Sequence, residues 1–311
     1  MSLSCVLVIA TTEYELLTGA AGLRDRSERG KLWLTGAEAA EFLQGQVTND
    51  VEALAPGHGC YAALLDHKGK LRADLRVLRG EDWIWLDTEA GGLPALRRTV
   101  QMYSIGREVA LEDRTETHAI LSLLGPAARE ALDAAPPPDE HAFVAGAHGL
   151  YVTTDHGVDV ICLASEVDGV RAALAVPDVS AEAAECLRIE SGRPRLGLDM
   201  DSSTIPQEAG LNPRAVSFTK GCYVGQETVA RLFYKGKPNR RLRGLRMTAP
   251  AERGADLRLG ERAVGALGSS CVSPRYGAIG LALVRREAAP GDVVAVGPDG
   301  ASATVVELPF R

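Results

Sequence analysis

The stretch Lys31-Leu32-Trp33-Leu34-Thr35-Gly36-Ala37-Glu38-Ala39-Ala40-Glu41-Phe42-Leu43 recurs in outline as Leu121-Ser122-Leu123-Leu124-Gly125-Pro126-Ala127-Ala128-Arg129-Glu130-Ala131-Leu132, and this recurrence decides the fold class. Leu32, Leu34, Gly36, Ala39, Glu41 and Leu43 fall on Leu121, Leu123, Gly125, Ala128, Glu130 and Leu132. Each copy reads as a short apolar strand, a glycine and an amphipathic helix, so the chain carries an internal duplication whose second unit starts near residue 115. In the first copy Thr35, with Glu38 three residues on, has capping-box spacing, and Gly45 offers a left-handed stop to the helix. In the second, Gly125 and Pro126 open the helix.

Outward from these two anchors the pattern stays mixed. Tyr61–Leu65 and Leu71–Leu78 read as strands joined by a turn through Asp66-His67-Lys68-Gly69, and Trp83–Asp87 adds another. Pro94 opens a helix to Tyr103, a hairpin turns at Asp155–Gly157, a helix runs from about Ser165 to Leu174, and Ser180 caps a helix ending before Gly192 and Pro194. Residues 191–239 are glycine-rich and polar and read as a long irregular connection, a kind usually functional or disordered. From Arg241 on, short strands alternate with Gly and Pro and no helix is expected, which suggests a small β-barrel. The expected fold is therefore α+β: a duplicated domain over 1–240 and a C-terminal β-barrel over 241–311.

Composition excludes several classes. The chain has 311 residues, 46% hydrophobic and 24% charged, which is a globular balance with length for about two domains. Its net charge of −7 argues against general nucleic-acid binding. No apolar run approaches a membrane span, and Cys5–Ala10 is too short and lacks the basic leader of a signal peptide, so a cytoplasmic protein is expected. Six cysteines without CxxC spacing and six histidines without HExxH spacing give no metal site.

The charge is unevenly placed. Lys220, Arg231, Lys235, Lys237, Arg240, Arg241, Arg243 and Arg246 stand against Glu227 alone, so one 27-residue segment carries +7 and the remainder −14. Such a run reads either as a solvated face or as an anion site for carboxylates or phosphates. It opens with Lys220-Gly221-Cys222-Tyr223-Val224-Gly225-Gln226-Glu227, in which a cation two residues from a thiol would favour the thiolate. The same cysteine also reads as a small buried residue in a glycine turn. Asn49, Asp50, Asp74 and Glu190 are each a cap or surface group, or else a polar hold for the N–H edge of a heterocycle.

The Lys220–Glu227 segment, preceded by Phe218-Thr219 and followed by Thr228-Val229-Ala230-Arg231, resembles the signature of the YgfZ family, relatives of the glycine-cleavage T-protein, an aminomethyltransferase. Phe42-Leu43-Gln44-Gly45-Gln46-Val47-Thr48-Asn49-Asp50, Arg188-Ile189-Glu190-Ser191-Gly192-Arg193-Pro194 and Ile279-Gly280-Leu281-Ala282-Leu283-Val284 resemble other parts of that superfamily. The resemblance implies a duplicated folate-binding domain followed by a barrel. It also implies tetrahydrofolate as cofactor, with or without a polyglutamate tail, and a role in assembly or repair of iron–sulfur clusters with client or assembly proteins as partners. Glu190 matches the acid that holds the pterin, and Asn49, Asp74, Lys220, Tyr223, Gln226, Glu227 and Arg231 are the other candidate binding residues. Cys222, the signature thiol, and Asp74 are the candidate catalytic pair. The alternative is an aminomethyltransferase with Asp74 as acid/base group, although the T-protein branch has an acidic pair where this chain reads Ala73-Asp74. Nucleic acid is the weakest partner.

Overall fold

The computed structural model describes residues 11–298 and 300–311; the Cys5–Ala10 stretch lies outside them. In chain order they form α1 (Thr11–Gly19), β1 (Gly22–Asp25), β2 (Gly30–Thr35), α2 (Ala39–Gln44), β3 (His58–Leu65), β4 (Leu71–Arg79), β5 (Trp83–Thr88), α3 (Leu93–Tyr103), β6 (Ala110–Asp113), β7 (His118–Leu124), β8 (Phe143–Gly146), β9 (Gly149–Thr154), β10 (Gly157–Leu163), α4 (Val167–Leu174), α5 (Ala181–Glu190), α6 (Asn212–Ala215), α7 (Gln226–Lys235), β11 (Arg240–Met247), β12 (Asp256–Leu259), β13 (Arg262–Ser273), β14 (Gly277–Arg285), β15 (Val293–Val296) and β16 (Ala301–Val306). The chain divides into two compact units. The larger holds Leu16–Val179 and Leu211–Ala230; the smaller holds residues 11–15, Ser180–Gly210 and Arg231–Arg311.

The larger unit carries the duplication. Its two five-stranded antiparallel sheets run β3-β4-β5-β2-β6 and β8-β9-β10-β7-β1, so each is a three-strand meander with the repeat's first strand beside its third. The edge strand of each sheet is exchanged: β6 follows the first repeat, and β1 precedes both. The glycine of each repeat explains why the motif survives. Gly36 has φ 111° and Gly125 φ 115°. A Cβ would stand 2.1 Å from the Glu108 carbonyl oxygen in one and 2.5 Å from that of Ala20 in the other, so only glycine lets the edge-strand backbone approach.

Strand alternation sorts the side chains of β4 into two faces. Ala73, Leu75 and Val77 join Leu32, Leu34, Phe42, Leu43, Leu96 and Val100 in a core beneath α2 and α3. Leu78 faces the other way and packs with Trp85, Ile120, Phe143, Val152 and Ile161, residues of both sheets. Asp74 and Arg76 share that second face, so the layer between the sheets is apolar at one end and charged at the other. The smaller unit closes β11-β14-β13-β12-β15-β16 into a barrel around Leu245, Leu257, Val264, Val294 and Val305.

Several local expectations are corrected. Thr35 ends β2 and does not cap a helix; α2 starts at Ala39 because the Gly36 turn intervenes, and Glu38 instead accepts the Glu108 N–H. Gly45 is right-handed at φ −76°. The second repeat's helix is only a 3-10 turn, Ala128–Ala131. The 191–239 connection contains a ten-residue helix, α7, amphipathic and free of Gly and Pro between the breakers Gly225 and Gly236. The short strand β12 escapes the sequence pattern.

Candidate functional site

In the larger unit the charged end of the inter-sheet layer is built from strand positions two residues apart. Arg76 donates to Asp87 (2.7 Å) and Asp159 (2.6 Å), binding the two sheets together, and Trp85 Nε1 donates to the same Asp87 oxygen at 3.0 Å. Arg29 holds the other Asp87 oxygen at 2.8 Å. Burial alone would raise the Asp87 carboxyl, but the Arg76 and Arg29 guanidiniums hold it down at about 2.

Asp74 lies on the same face, 8% exposed, and its Oδ2 accepts the Tyr61 hydroxyl at 2.7 Å. Burial raises its pKa above the ordinary carboxylate value, with the Tyr61 bond opposing. Tyr61 is in turn pushed well up by burial and by Asp74. Asn49 Nδ2 donates to the Tyr61 carbonyl (2.8 Å) and the Arg214 carbonyl (3.0 Å), and the Arg214 guanidinium stands 5.3 Å from the Tyr61 ring centre. Arg214 also pairs with Glu140. The next residue, His141, has φ 69°, and burial lowers its imidazole to about 4, so it is neutral at pH 7. Asp74 Oδ1, Arg76 Nη2, Arg214 Nε and both ring nitrogens of His141 are buried without a hydrogen-bond partner. Buried polar atoms are ordinarily satisfied, so these atoms are hydrogen-bonding capacity that the fold of this unit leaves unused.

The signature segment is fixed onto the same unit. Lys220 Nζ donates to the carbonyls of Gln44 (2.5 Å), Val47 (2.8 Å) and Asn49 (2.9 Å), which accounts for all three ammonium protons. Burial lowers this lysine to about 8. The buried Tyr223 ring lies 5.2 Å from Nζ, and Val224 N–H donates to the Gly45 carbonyl. Gly225, at φ 85°, sits where a Cβ would be 2.5 Å from the Asp66 carbonyl oxygen. Cys222 is exposed between these anchors. The sequence pairs Lys220 with the thiol; in the fold its protons are committed to the 44–49 turn, so it acts by holding the loop. Gln226 and Glu227 form the first turn of α7.

Glu190 belongs to the smaller unit. Its Oε2 accepts from Tyr14 (3.0 Å) and its Oε1 from Ser273 (2.5 Å) and the Cys186 thiol (3.4 Å). The adjacent Cys271 and burial push the Cys186 thiol far up, so it is a protonated donor. Arg231 is exposed at the start of this unit's last segment. Asn49, Asp74, Lys220 and Tyr223 thus share the larger unit, while Glu190 and Arg231 belong to the smaller. Tyr61, Arg76, His141 and Arg214 escape sequence reading. The alternation Arg72-x-Asp74-x-Arg76 in an otherwise apolar strand is the one signal that points to any of them. Among the described residues no group of three or more His, Cys, Asp or Glu could hold a metal ion, and no helix is long and apolar enough to cross a membrane.

Residues 6–149 match the GCVT N-terminal domain, and residues 240–311 match the glycine cleavage T-protein C-terminal barrel domain. The chain is 33% identical to the tRNA-modifying protein YgfZ of Edwardsiella ictaluri, over 73% of this chain and 73% of that protein. It is 28% identical to an aminomethyltransferase of Rubrobacter xylanophilus, over 96% and 85%. The crystal structure of glycine cleavage system aminomethyltransferase T from Bartonella henselae superposes with TM-score 0.88 over 96% of this chain and 89% of that one, at 23% identity, which establishes the fold. With the duplicated two-sheet unit, the six-stranded barrel and these matches, the chain belongs to the YgfZ family and has the T-protein fold.

Proposed function

We propose that this protein binds tetrahydrofolate and serves as an accessory factor in the assembly or repair of iron–sulfur clusters in client enzymes. The observation that carries the folate reading is the set of buried, unpartnered polar atoms around Asp74. A reduced pterin presents N–H donors beside a carbonyl, which suits a carboxylate oxygen, guanidinium nitrogens and a neutral imidazole. Asp74, Arg76, His141 and Arg214 are the groups available to hold it, with Asn49 fixing the Tyr61 and Arg214 backbones. Glu190, the acid the family resemblance assigns to the pterin, keeps a lone pair open on Oε2 alone, since Oε1 already accepts from both Ser273 and Cys186. Bound tetrahydrofolate would supply nitrogens that carry a one-carbon unit. Cys222, exposed on a segment anchored at Lys220, Tyr223 and Gly225, is the group presented to a partner protein or its cluster.

A second reading is a folate-dependent aminomethyltransferase, favoured by the buried Asp74, whose pKa burial raises, which suits a proton-transfer group. Calorimetry with tetrahydrofolate should give micromolar binding that weakens in Asp74→Ala and Glu190→Ala; no heat of binding would sink both readings. Formation of methylenetetrahydrofolate from an aminomethylated lipoyl carrier would favour the transferase. Restoration of an iron–sulfur dehydratase in cells lacking the protein would favour the accessory role, and equal rescue by Cys222→Ser would remove the thiol from it.

A further inference from the structure

The smaller unit holds an open cleft of about 830 Å³, within the size range of small-molecule sites. Its floor is the first half of β13, residues 263–268. That strand serves two neighbours: residues 262–266 pair with β12 and residues 267–273 with β14. The cleft lies over this change of partner. Its walls are the start of β11, the end of β14, the Arg253-Gly254 turn and the 198–201 segment. At Gly254, where φ is 86°, nothing stands within 4 Å of a Cβ position, so a ligand can reach the backbone there.

Five charged side chains line the cleft, and they differ in what already holds them. Asp199 is spent: its Oδ2 accepts from Arg188 at 2.9 Å and from the Arg195 N–H at 3.0 Å, and its Oδ1 accepts the Ser269 N–H at 2.7 Å. Arg240 gives Nε and Nη2 to Glu208 at 3.1 and 2.9 Å. Asp201 accepts from Ser203 and Thr204 on Oδ1 alone, and the Ser203 bonds hold its carboxyl below the ordinary range, so it is ionised with Oδ2 open. Arg253 gives one nitrogen, Nη2, to the Gly197 carbonyl, and it has no ion pair among the described residues. Arg285 is exposed and likewise without an ion pair. Two guanidiniums are thus left against one carboxylate. The β11–β14 register also sets Arg285 directly opposite Arg240, whose own acid is taken, and such like-charge opposition is relieved by an anion from outside.

We infer that this cleft binds a phosphomonoester of a small, non-aromatic metabolite, its phosphate held by Arg253 and Arg285 and a hydroxyl or amine of its body by Asp201. A carboxylate is flat and is saturated by a single bidentate guanidinium. A phosphate offers three terminal oxygens in a tetrahedral array and accepts from guanidiniums that arrive on different segments. No aromatic side chain is among the lining residues, so a purine, pyrimidine or pterin ring finds nothing there to stack on. The site is separate from the buried cluster around Asp74 in the larger unit and does not depend on the folate reading.

The test is calorimetry of the full chain at fixed ionic strength with glucose 6-phosphate, glycerol 3-phosphate and phosphoserine, against glucose and citrate. At least one of the three phosphomonoesters should bind with a Kd below about 1 mM, whereas glucose and citrate should give no heat. Arg253→Ala/Arg285→Ala should weaken that binding about tenfold or more, and Asp201→Asn should weaken it less. Both arginines are on the surface, so the thermal transition of the double variant should match the parent. Tetrahydrofolate binding should be the same with and without the phosphomonoester. Silence from all three phosphomonoesters, equal binding of citrate, indifference to the double variant, or displacement by tetrahydrofolate would each overturn the assignment.

Discussion

The two ends of one basic run have opposite fates, and the contrast shows what fixes the role of a charge. Lys220 is desolvated and gives its three protons to a turn of the larger unit, where it organises backbone. Lys235, Lys237 and Arg241, further along the run, are exposed and have no ion pair among the described residues. Both ends are equally basic in sequence; the difference lies in whether orphan carbonyls surround the cation. A buried cation with every proton bonded stabilises the fold, whereas an exposed cation is free for a partner.

The largest break in that contrast is expected at the buried end. Lys220→Ala leaves three carbonyls without their donor and opens a cavity, and should cost about 4 kcal/mol in urea unfolding. Retained stability in that variant would show the ammonium to be dispensable.

The buried polar cluster gives the next effect. His141 titrates near 4, below its ordinary 6.5, so the folded state binds the proton less readily than the unfolded chain. Its contribution is complete above about pH 6.5 and is lost as pH falls toward 4, up to about 3 kcal/mol. Denaturant midpoints measured from pH 7 to pH 4.5 should drop less in His141→Gln than in the parent.

Gly225→Ala tests the other anchor of the signature segment. Positive φ and the Asp66 carbonyl oppose a side chain there, so about 2 kcal/mol of destabilisation is expected. Alkylation of Cys222 should also change rate as the loop shifts. At the exposed end, Lys235→Ala and Lys237→Ala should each stay within about 0.5 kcal/mol of the parent, and a larger loss would erase the contrast.

Much of the fold is legible before any coordinates. The repeated strand–glycine motif gives the duplication because Gly36 and Gly125 meet the same steric demand, and the Gly/Pro-punctuated tail gives the barrel. α7 is hidden because its flanking glycines and charges resemble a loop, and its amphipathic face becomes meaningful only when Val229 finds a core. The site divides in the same way. Asn49, Asp74 and Lys220 are recognisable one by one, but Tyr61, Arg214 and His141 carry no local pattern.

By itself the sequence determined the α+β class, the duplication, the C-terminal barrel, the family signature and the uneven charge, because these rest on period, spacing and steric need along the chain. The tertiary structure decided which charges are buried, that Lys220 anchors while Cys222 is displayed, that Asp74 keeps an unpartnered oxygen, and that Arg253 and Arg285 line one cleft. Desolvation and strand register govern those outcomes, and both arise only when distant segments are brought together.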